Sequence, residues 1–189
     1  RQHHDLARDQ RGERGHGVGI VLRDVGAATR TLVRHEICEQ LAGGISLRDN
    51  SLLSGFALER THRRVVSNSA EYFAGGIYAE SSAISASSLE LRNNVAGLRP
   101  TPAPAGMGYG GGLAAYSSVI SVFQLRVEDN RAERYGGGIW LQSGSGLDAA
   151  NSLTCPSGQP CHYVSRNEAG EAGGAVWLGT DANVSVDRA

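Results

Sequence analysis

The stretch that decides the fold reads VEDNRAERYGGGIW and occupies Val127–Trp140. The same phrase returns as VSRNEAGEAGGAVW over Val164–Trp177 and as VVSNSAEYFAGGIY over Val65–Tyr78. Each copy runs from an apolar residue through Asn and Ala to a block of small residues, and closes on an aliphatic and an aromatic residue. Such internal self-similarity indicates a repeat architecture, in which each unit stacks on its neighbours.

The block of small residues that ends in an aliphatic residue occurs six times along the 189-residue chain. The blocks start at positions 17, 42, 74, 110, 136 and 173, so successive starts lie 25 to 37 residues apart. Variable spacing around a fixed phrase indicates loop insertions of different length on a common unit. The two longest insertions are predicted at 97–109 and 144–161. Residues 1–16 are predicted as a poorly patterned N-terminal edge, and 17–189 as the repeat region.

The local pattern within each unit is typical of strands. Ile139-Trp140-Leu141 and Val176-Trp177-Leu178 alternate between the two faces of a strand, and no stretch has a helical period. A second strand is predicted over Ile84–Leu91 in one unit and over Val119–Val127 in another. Short strands, glycine bends and repeats of this size predict an all-β fold, a right-handed parallel β-helix of about six coils.

An asparagine recurs at one position of the phrase, as Asn68, Asn94, Asn130 and Asn167. Stacked asparagines can pair their amides along the axis of a solenoid and satisfy the backbone groups of a turn. We therefore predict that these four residues are structural turn residues.

Aromatic residues recur at two other positions. Tyr78, Trp140 and Trp177 follow the inward aliphatic residue and are expected to point outward, with Trp140 and Trp177 one above the other. This column is either a packing ladder, which we favour, or a ligand surface for sugar rings or for a partner's apolar groups. A second column, immediately before the small-residue block, is expected to pack in the core or in turns; it consists of Phe73, Tyr109 and Tyr135.

The three cysteines bear on the redox environment. Cys155 and Cys161 flank a short segment with two prolines, so that a disulfide between them is plausible and would indicate an oxidising compartment. Two free thiols are the alternative, whereas zinc would need further ligands. Cys38 occupies a position that Ala fills in other copies and is predicted to be a small core residue.

Charge and polar residues restrict the classes of function. The formal net charge is −1, so no basic field directs the chain to nucleic acid, and no apolar run is long enough for a membrane-spanning helix. Glu128 and Asp129 are adjacent, and we expect their side chains to point to opposite sides of a strand. Asp24 and Asp49 are interpreted as turn caps, with a bridging calcium ion as the weaker alternative. No catalytic residue, metal site or cofactor is predicted.

The repeated phrase resembles that of the polymorphic outer-membrane protein family, whose Phe-x-x-Asn and Gly-Gly-Ala-Ile motifs recur along a β-helical passenger. The resemblance covers roughly residues 33–178 and is strongest at 125–140 and 162–178. The chain departs from that pattern by using Val or Leu in place of Phe, and Glu36 in place of one Asn. The resemblance implies export and display at the cell surface, often with an adhesive role, as in autotransporter passengers, and it brings no catalytic residues.

These observations favour a cell-surface, outer-membrane or extracellular scaffold that is adhesive and is cut from a larger bacterial protein. Its partners would be surface glycans or proteins of a host or neighbouring cell. If the scaffold has a binding surface, it should involve Tyr78, Trp140 and Trp177 with the two long insertions. A polysaccharide-active lyase or hydrolase is the alternative from a different class, and a mechanical spacer without a ligand is a third.

Overall fold

A computed structural model describes most of the repeat region. The residues described are 20–23, 32–34, 37–38, 42–48, 52–55, 62–97, 107–149 and 161–186. Side chains are described only within 42–48, 52–53, 64–97, 107–149 and 161–186. The predicted N-terminal edge at 1–16, Asp24, Asp49, Cys155 and most of both predicted insertions lie outside the described residues.

Strands that follow the small-residue blocks form a six-stranded sheet, sheet I. Its strands are β1 (Ile20–Arg23), β4 (Ile45–Arg48), β8 (Ile77–Glu80), β12 (Leu113–Tyr116), β16 (Ile139–Gln142) and β20 (Val176–Leu178). Sheet II follows sheet I along the chain. Its strands are β5 (Leu52–Gly55), β9 (Ala83–Ala86), β13 (Val119–Val122), β17 (Gly146–Ala149) and β21 (Asn183–Val186).

Two further five-stranded sheets complete each repeat. Sheet III contains β2 (Leu32–Arg34), β6 (His62–Val66), β10 (Ser88–Arg92), β14 (Leu125–Glu128) and β18 (His162–Ser165). Sheet IV contains the two-residue strands β3 (Ile37–Cys38), β7 (Ser69–Ala70), β11 (Val95–Ala96), β15 (Arg131–Ala132) and β19 (Glu168–Ala169).

The chain visits the sheets in the order I, II, III, IV and then returns to sheet I one strand further along, and every strand pairing is parallel. The described residues contain no helix, and hence none long and apolar enough to cross a membrane. An all-β fold of stacked parallel sheets is consistent with the predicted parallel β-helix. Gly146–Ala149, which form β17, lie inside the range predicted as the second insertion.

The inward side chains of sheets I, II and III form the main core. On sheet I, Ile139 and Leu141 point inward and are fully buried, whereas Trp140 between them belongs to a separate apolar cluster. The neighbouring strands repeat this arrangement, since Leu113 pairs with both Ile77 and Ile139. Aliphatic residues of successive repeats thus stack in columns, and neighbouring residues within a column are about 4.8 Å apart, the usual spacing of paired strands.

The small-residue block is required because the backbones of neighbouring repeats approach closely there. A Cβ atom at Gly111 would lie 2.3 Å from the carbonyl oxygen of Gly137 and 2.5 Å from that of Arg131. Contacts this short are far inside van der Waals distance, so no side chain fits. The glycine therefore allows the chain to pass from sheet IV into sheet I.

The prediction of one long second strand in each unit was wrong. The range Ile84–Leu91 contains most of β9 and most of β10, which belong to different sheets, and Val119–Val127 is likewise divided between β13 and β14. The alternation changes phase at each corner, because two successive residues, Ser87 and Ser88, are both half-buried between inward ones. Phe123 lies at the equivalent corner, within the range predicted as a strand, and it is half-buried and not an inward strand residue.

The asparagines stack as a ladder at the corner between sheets III and IV. Asn94 donates from both its backbone nitrogen and its Nδ2 to Oδ1 of Asn130, each at 3.0 Å, and Asn130 bonds Asn167 in the same way at 3.0 and 2.9 Å. Nδ2 of Asn130 also donates to the carbonyl oxygen of Leu91 at 2.9 Å. Asn68, Asn94 and Asn130 have no exposed surface, so the ladder satisfies buried polar groups along the molecule.

Candidate functional site

The outward face of sheet I carries the aromatic column predicted from the sequence. Ala114 of β12 pairs with Tyr78 of β8 on one side and with Trp140 of β16 on the other, and Trp140 pairs with Trp177 of β20. The two indole rings are stacked, with centroids 5.9 Å apart and planes inclined by 9°. Alignment of the small-residue blocks thus placed these rings in the correct register.

The second aromatic column lies outside the main core, in the segment that turns from sheet IV into sheet I, which is one of the two places expected for it. Phe73, Tyr109 and Tyr135 belong to the segment between sheets IV and I, and they pack against the outward column. The centroid of Tyr109 lies 5.1 Å from that of Trp140, and the centroid of Tyr135 lies 5.3 Å from that of Trp177. Tyr78 and Trp140 are consequently only 6% and 5% exposed, although both point away from the main core.

A third column completes the site and was missed in the sequence analysis. Glu80, Tyr116 and Gln142 pair with one another in register, two positions after the outward column on the same strands. The alternation of strand residues could have identified them, because residues two apart share a face. Together the three columns line a groove of about 500 Å³. Its lining residues are Phe73, Tyr78, Glu80, Tyr109, Tyr116, Tyr135, Trp140, Gln142 and Trp177.

One residue that lines the groove, Trp140, has a polar atom without a partner. The Nε1 atom of Trp140 is buried and makes no hydrogen bond. A buried N–H donor without an acceptor costs about 1–3 kcal/mol, and buried polar groups are rarely left in this state. Trp140 therefore offers a hydrogen bond that the protein itself does not use.

Two ion pairs flank the aromatic rings. Nε of Arg48 lies 3.4 Å from Oε2 of Glu80, and the guanidinium of Arg48 lies 5.7 Å from the centre of the Tyr78 ring. Burial, together with the negative charge of Glu80, raises the pKa of Tyr78 to about 12. At the other end, Arg134 forms a two-pronged ion pair with Glu171.

The Arg134 ion pair also involves the rings. The guanidinium of Arg134 lies 5.1 Å from the centre of the Tyr135 ring. A hydrogen bond to Glu171 is the largest of the effects that raise the pKa of Tyr135. The charged groups at both ends of the groove are therefore already paired with each other and with the rings.

A separate charged cluster lies on sheet III. The carboxylate of Glu128, only 2% exposed, accepts hydrogen bonds from Arg126 and from Arg166, the latter at 3.3 Å. Asp129 accepts from Arg166 at 2.6 and 3.0 Å. The expectation that Glu128 and Asp129 point to opposite sides was wrong, because Asp129 leaves the strand in a left-handed conformation (φ 55°) and both carboxylates reach Arg166.

These carboxylates are held in the ionised state. A hydrogen bond from Arg126 is the largest effect on Glu128, and one from Arg166 is the largest effect on Asp129; each lowers the pKa of its carboxyl group. A carboxyl group acting as a general acid needs a raised pKa. The cluster is therefore suited to holding repeats together by ion pairs rather than to donating protons.

The remaining predicted residues lie away from the groove or outside the described residues. Cys161 is disulfide-bonded, and Cys155, its predicted partner, is not among the described residues. Within the described part of the chain, no group of three or more His, Cys, Asp or Glu side chains could hold a metal ion. Comparison with known protein families, with curated proteins and with solved structures finds no match to this chain.

Proposed function

We propose that this chain is a right-handed parallel β-helix of about six coils that serves as a rigid scaffold in a larger exported bacterial protein. It would stand at the cell surface, in the outer membrane or outside the cell, and would present the aromatic groove as an adhesive surface. The resemblance of its repeat to that of the polymorphic outer-membrane proteins motivates the location. The groove motivates the adhesive role.

The observation that carries this proposal is the separation of the two apolar clusters. The aliphatic columns of sheets I, II and III fill the core, and the aromatic rings form a second cluster on the outer face. Monomeric proteins rarely keep many large rings on an outer face without a use for them, and grooves lined by aromatic residues with a few polar groups are typical binding sites. The groove is thus additional to what the core requires.

The enzyme alternative receives less support. Glu128 and Asp129 do lie together, but each is bound by arginine and has a lowered pKa, and both lie at sheet III, away from the groove. The carboxylate that lines the groove, Glu80, forms an ion pair with Arg48. A glycosidase would instead need two carboxyl groups facing one bound sugar, one of them protonated.

An adhesion assay tests the proposal. Beads coated with the chain would be passed over epithelial cell monolayers and over bacterial lawns, and the retained fraction measured. We expect Trp177→Ala to abolish retention, because it removes a half-buried ring from the groove. Tyr163→Ala should retain it, because this exposed ring lies on sheet III.

Two results would contradict the adhesive role. Beads that are not retained on any surface would favour a mechanical spacer. Equal retention of both variants and the unmodified chain would show that adhesion does not involve the groove.

A further inference from the structure

We infer, on the basis of the proposed adhesive function, that the groove binds an uncharged pyranose ring and that the Nε1–H of Trp140 donates a hydrogen bond to one of its oxygens. Nothing in the repeat phrase specifies this ligand. The inference follows from the rings, the unpartnered donor and the paired charges of the groove.

The rings favour a ligand with a flat apolar face. Tyr116 is 41% exposed, and Tyr109, Tyr135 and Trp177 are each partly exposed along the groove. The C–H groups on one face of a pyranose carry a slight positive charge and pack well on the negative face of an aromatic ring. Its hydroxyl groups then remain at the edges of the groove, where Glu80 and Gln142 can accept or donate hydrogen bonds.

The unpartnered donor excludes the other ligand that an aromatic groove usually suggests. Quaternary ammonium groups also bind between aromatic rings, through cation–π attraction. They have no acceptor atom, so they would leave Nε1 of Trp140 buried without a partner. A sugar hydroxyl or ring oxygen can accept this hydrogen bond, and in doing so it removes the cost of the unpaired group.

The charges favour a neutral sugar over an acidic or a basic one. Glu80 is the charged residue among those that line the groove, and its partner Arg48 neutralises it. Arg134 is likewise neutralised by Glu171. A sugar that carries a carboxylate, a sulfate or an ammonium group would have to break one of these pairs or remain unpaired itself.

The position of the ligand follows from the exposed rings of the repeat that carries Ala114, a small and fully buried residue of the outward column. Ala114 contributes only a methyl group between Tyr78 and Trp140, so the series of large rings is interrupted at this strand. Tyr109 and Tyr116 of the same repeat, together with Tyr78 and Trp140 of the adjacent ones, line the groove around it. The sugar ring is therefore placed against the exposed Tyr116 and the partly exposed Tyr109 of this repeat, and not on Ala114 itself.

Intrinsic fluorescence measures this binding directly, because the chain has two tryptophans and both line the groove. The probes are glucose, galactose, mannose and N-acetylglucosamine, each as a monosaccharide and as a short oligosaccharide, with glucuronic acid and tetramethylammonium for comparison. Neutral sugars should change the fluorescence saturably, and the two charged probes should not. Binding of oligosaccharides alone would indicate a polymeric surface glycan as the source, whereas equal binding of monosaccharides would indicate free sugar.

Two substitutions test the assignment of residues. Trp140→Phe keeps a ring against Trp177 but removes the donor, and the loss of one hydrogen bond worth about 1 kcal/mol should weaken neutral-sugar binding roughly fivefold. Tyr116→Ala removes an exposed ring without disturbing the core and should weaken it about threefold to tenfold. Tyr163→Phe, outside the groove, is the control and should bind as the unmodified chain does. Circular dichroism and the urea midpoint verify that each variant is folded.

The outcomes separate this inference from the proposed function. The inference is overturned if the retention of beads depends on Trp177 but no neutral sugar gives a saturable response, or if tetramethylammonium or glucuronic acid gives one instead. Either result leaves the adhesive role standing. If the chain binds neutral sugars but its beads are not retained on any surface, the adhesive role is overturned and the sugar-binding inference stands. Unchanged affinity in folded Trp140→Phe refutes the role given to the indole donor.

Discussion

Removal of one asparagine from the interior of the ladder should destabilise the fold far more than removal of one at its edge. The side chain of Asn130 takes part in four hydrogen bonds. Its Nδ2 donates to Asn167 and to the Leu91 carbonyl, and its Oδ1 accepts from both nitrogens of Asn94. Asn130 has no exposed surface, so water cannot replace any of these four hydrogen bonds.

The magnitude follows from these bonds. A typical intramolecular hydrogen bond contributes about 1 kcal/mol net, and a buried group left without a partner costs about 1–3 kcal/mol. Asn130→Ala should therefore lower the free energy of unfolding by about 3–5 kcal/mol. Asn167 takes part in three such bonds but is half-buried, so that water can replace it, and Asn167→Ala should cost about 1–2 kcal/mol.

Urea denaturation of the two variants and the unmodified chain measures this difference, with equal m-values as the condition for comparing free energies. Asn130→Asp provides a further test. Its second oxygen would face the Leu91 carbonyl and Oδ1 of Asn167 in place of a donor, so it should destabilise at neutral pH and recover in part when protonated. Equal losses for Asn130→Ala and Asn167→Ala, or a loss below about 1 kcal/mol for Asn130→Ala, would refute the reasoning.

Three further predictions concern the close approach of repeats and the titrating groups. Gly111→Ala should prevent folding, because its Cβ would lie 2.3 Å from the Gly137 carbonyl oxygen. Gly146→Ala should fold normally, because the atom nearest to its Cβ would be 3.3 Å away. Circular dichroism of both variants tests this, and equal behaviour would contradict the steric argument. The pKa of Tyr78 is about 12 in the folded chain against an ordinary 10.0, so its contribution to stability is complete below pH 10 and is lost as the pH rises towards 12. The unfolding midpoint of Tyr78→Phe should lack this loss at alkaline pH. An alkaline profile identical to that of the unmodified chain would refute the prediction. The pKa of Glu128 lies below its ordinary 4.5, so its contribution to the free energy of unfolding is present above that pH and is lost on acidification. Glu128→Gln should therefore make stability less dependent on pH in the acid range. An unchanged dependence would argue against the ion pairs with Arg126 and Arg166.

The sequence allowed the repeat, the parallel strands of sheet I and the register of its rings to be predicted, because one fixed phrase determines all three. Trp140 lies against Trp177 although their blocks are 37 residues apart, since the extra residues lie between the strands and leave the pairing unchanged. Some residues, such as Asn130 and Ile139, stand at a constant distance along the sequence from the rest of the phrase. Their partners in the neighbouring repeat could therefore be inferred from the alignment of the copies alone.

The corners between sheets II and III could not be located in the same way. Ser87 and Ser88 suit either the outer face of a strand or a turn, so the continuous alternation from Ile84 to Leu91 concealed the change of direction. The contact between the two aromatic columns was also hidden. The segment from Ala132 to Gly136 has no strand period beyond one bridge residue, Tyr135, and therefore no rule of alternation states which way its rings face.

The outward position of sheet I is where the side chains differ most from one repeat to the next. The inward position at the start of each strand holds Ile45, Ile77, Leu113, Ile139 or Val176, all aliphatic, and these fill the core or pack against it. The next position holds Ser46, Tyr78, Ala114, Trp140 or Trp177, which range from the smallest polar side chain to the largest ring, yet the strand register is the same throughout. Because backbone pairing and the inward column determine the register, the outward column is free to determine what the groove accepts. Ala114 is fully buried in the cluster against which Tyr109 packs, so a larger side chain there should alter stability as well as ligand binding.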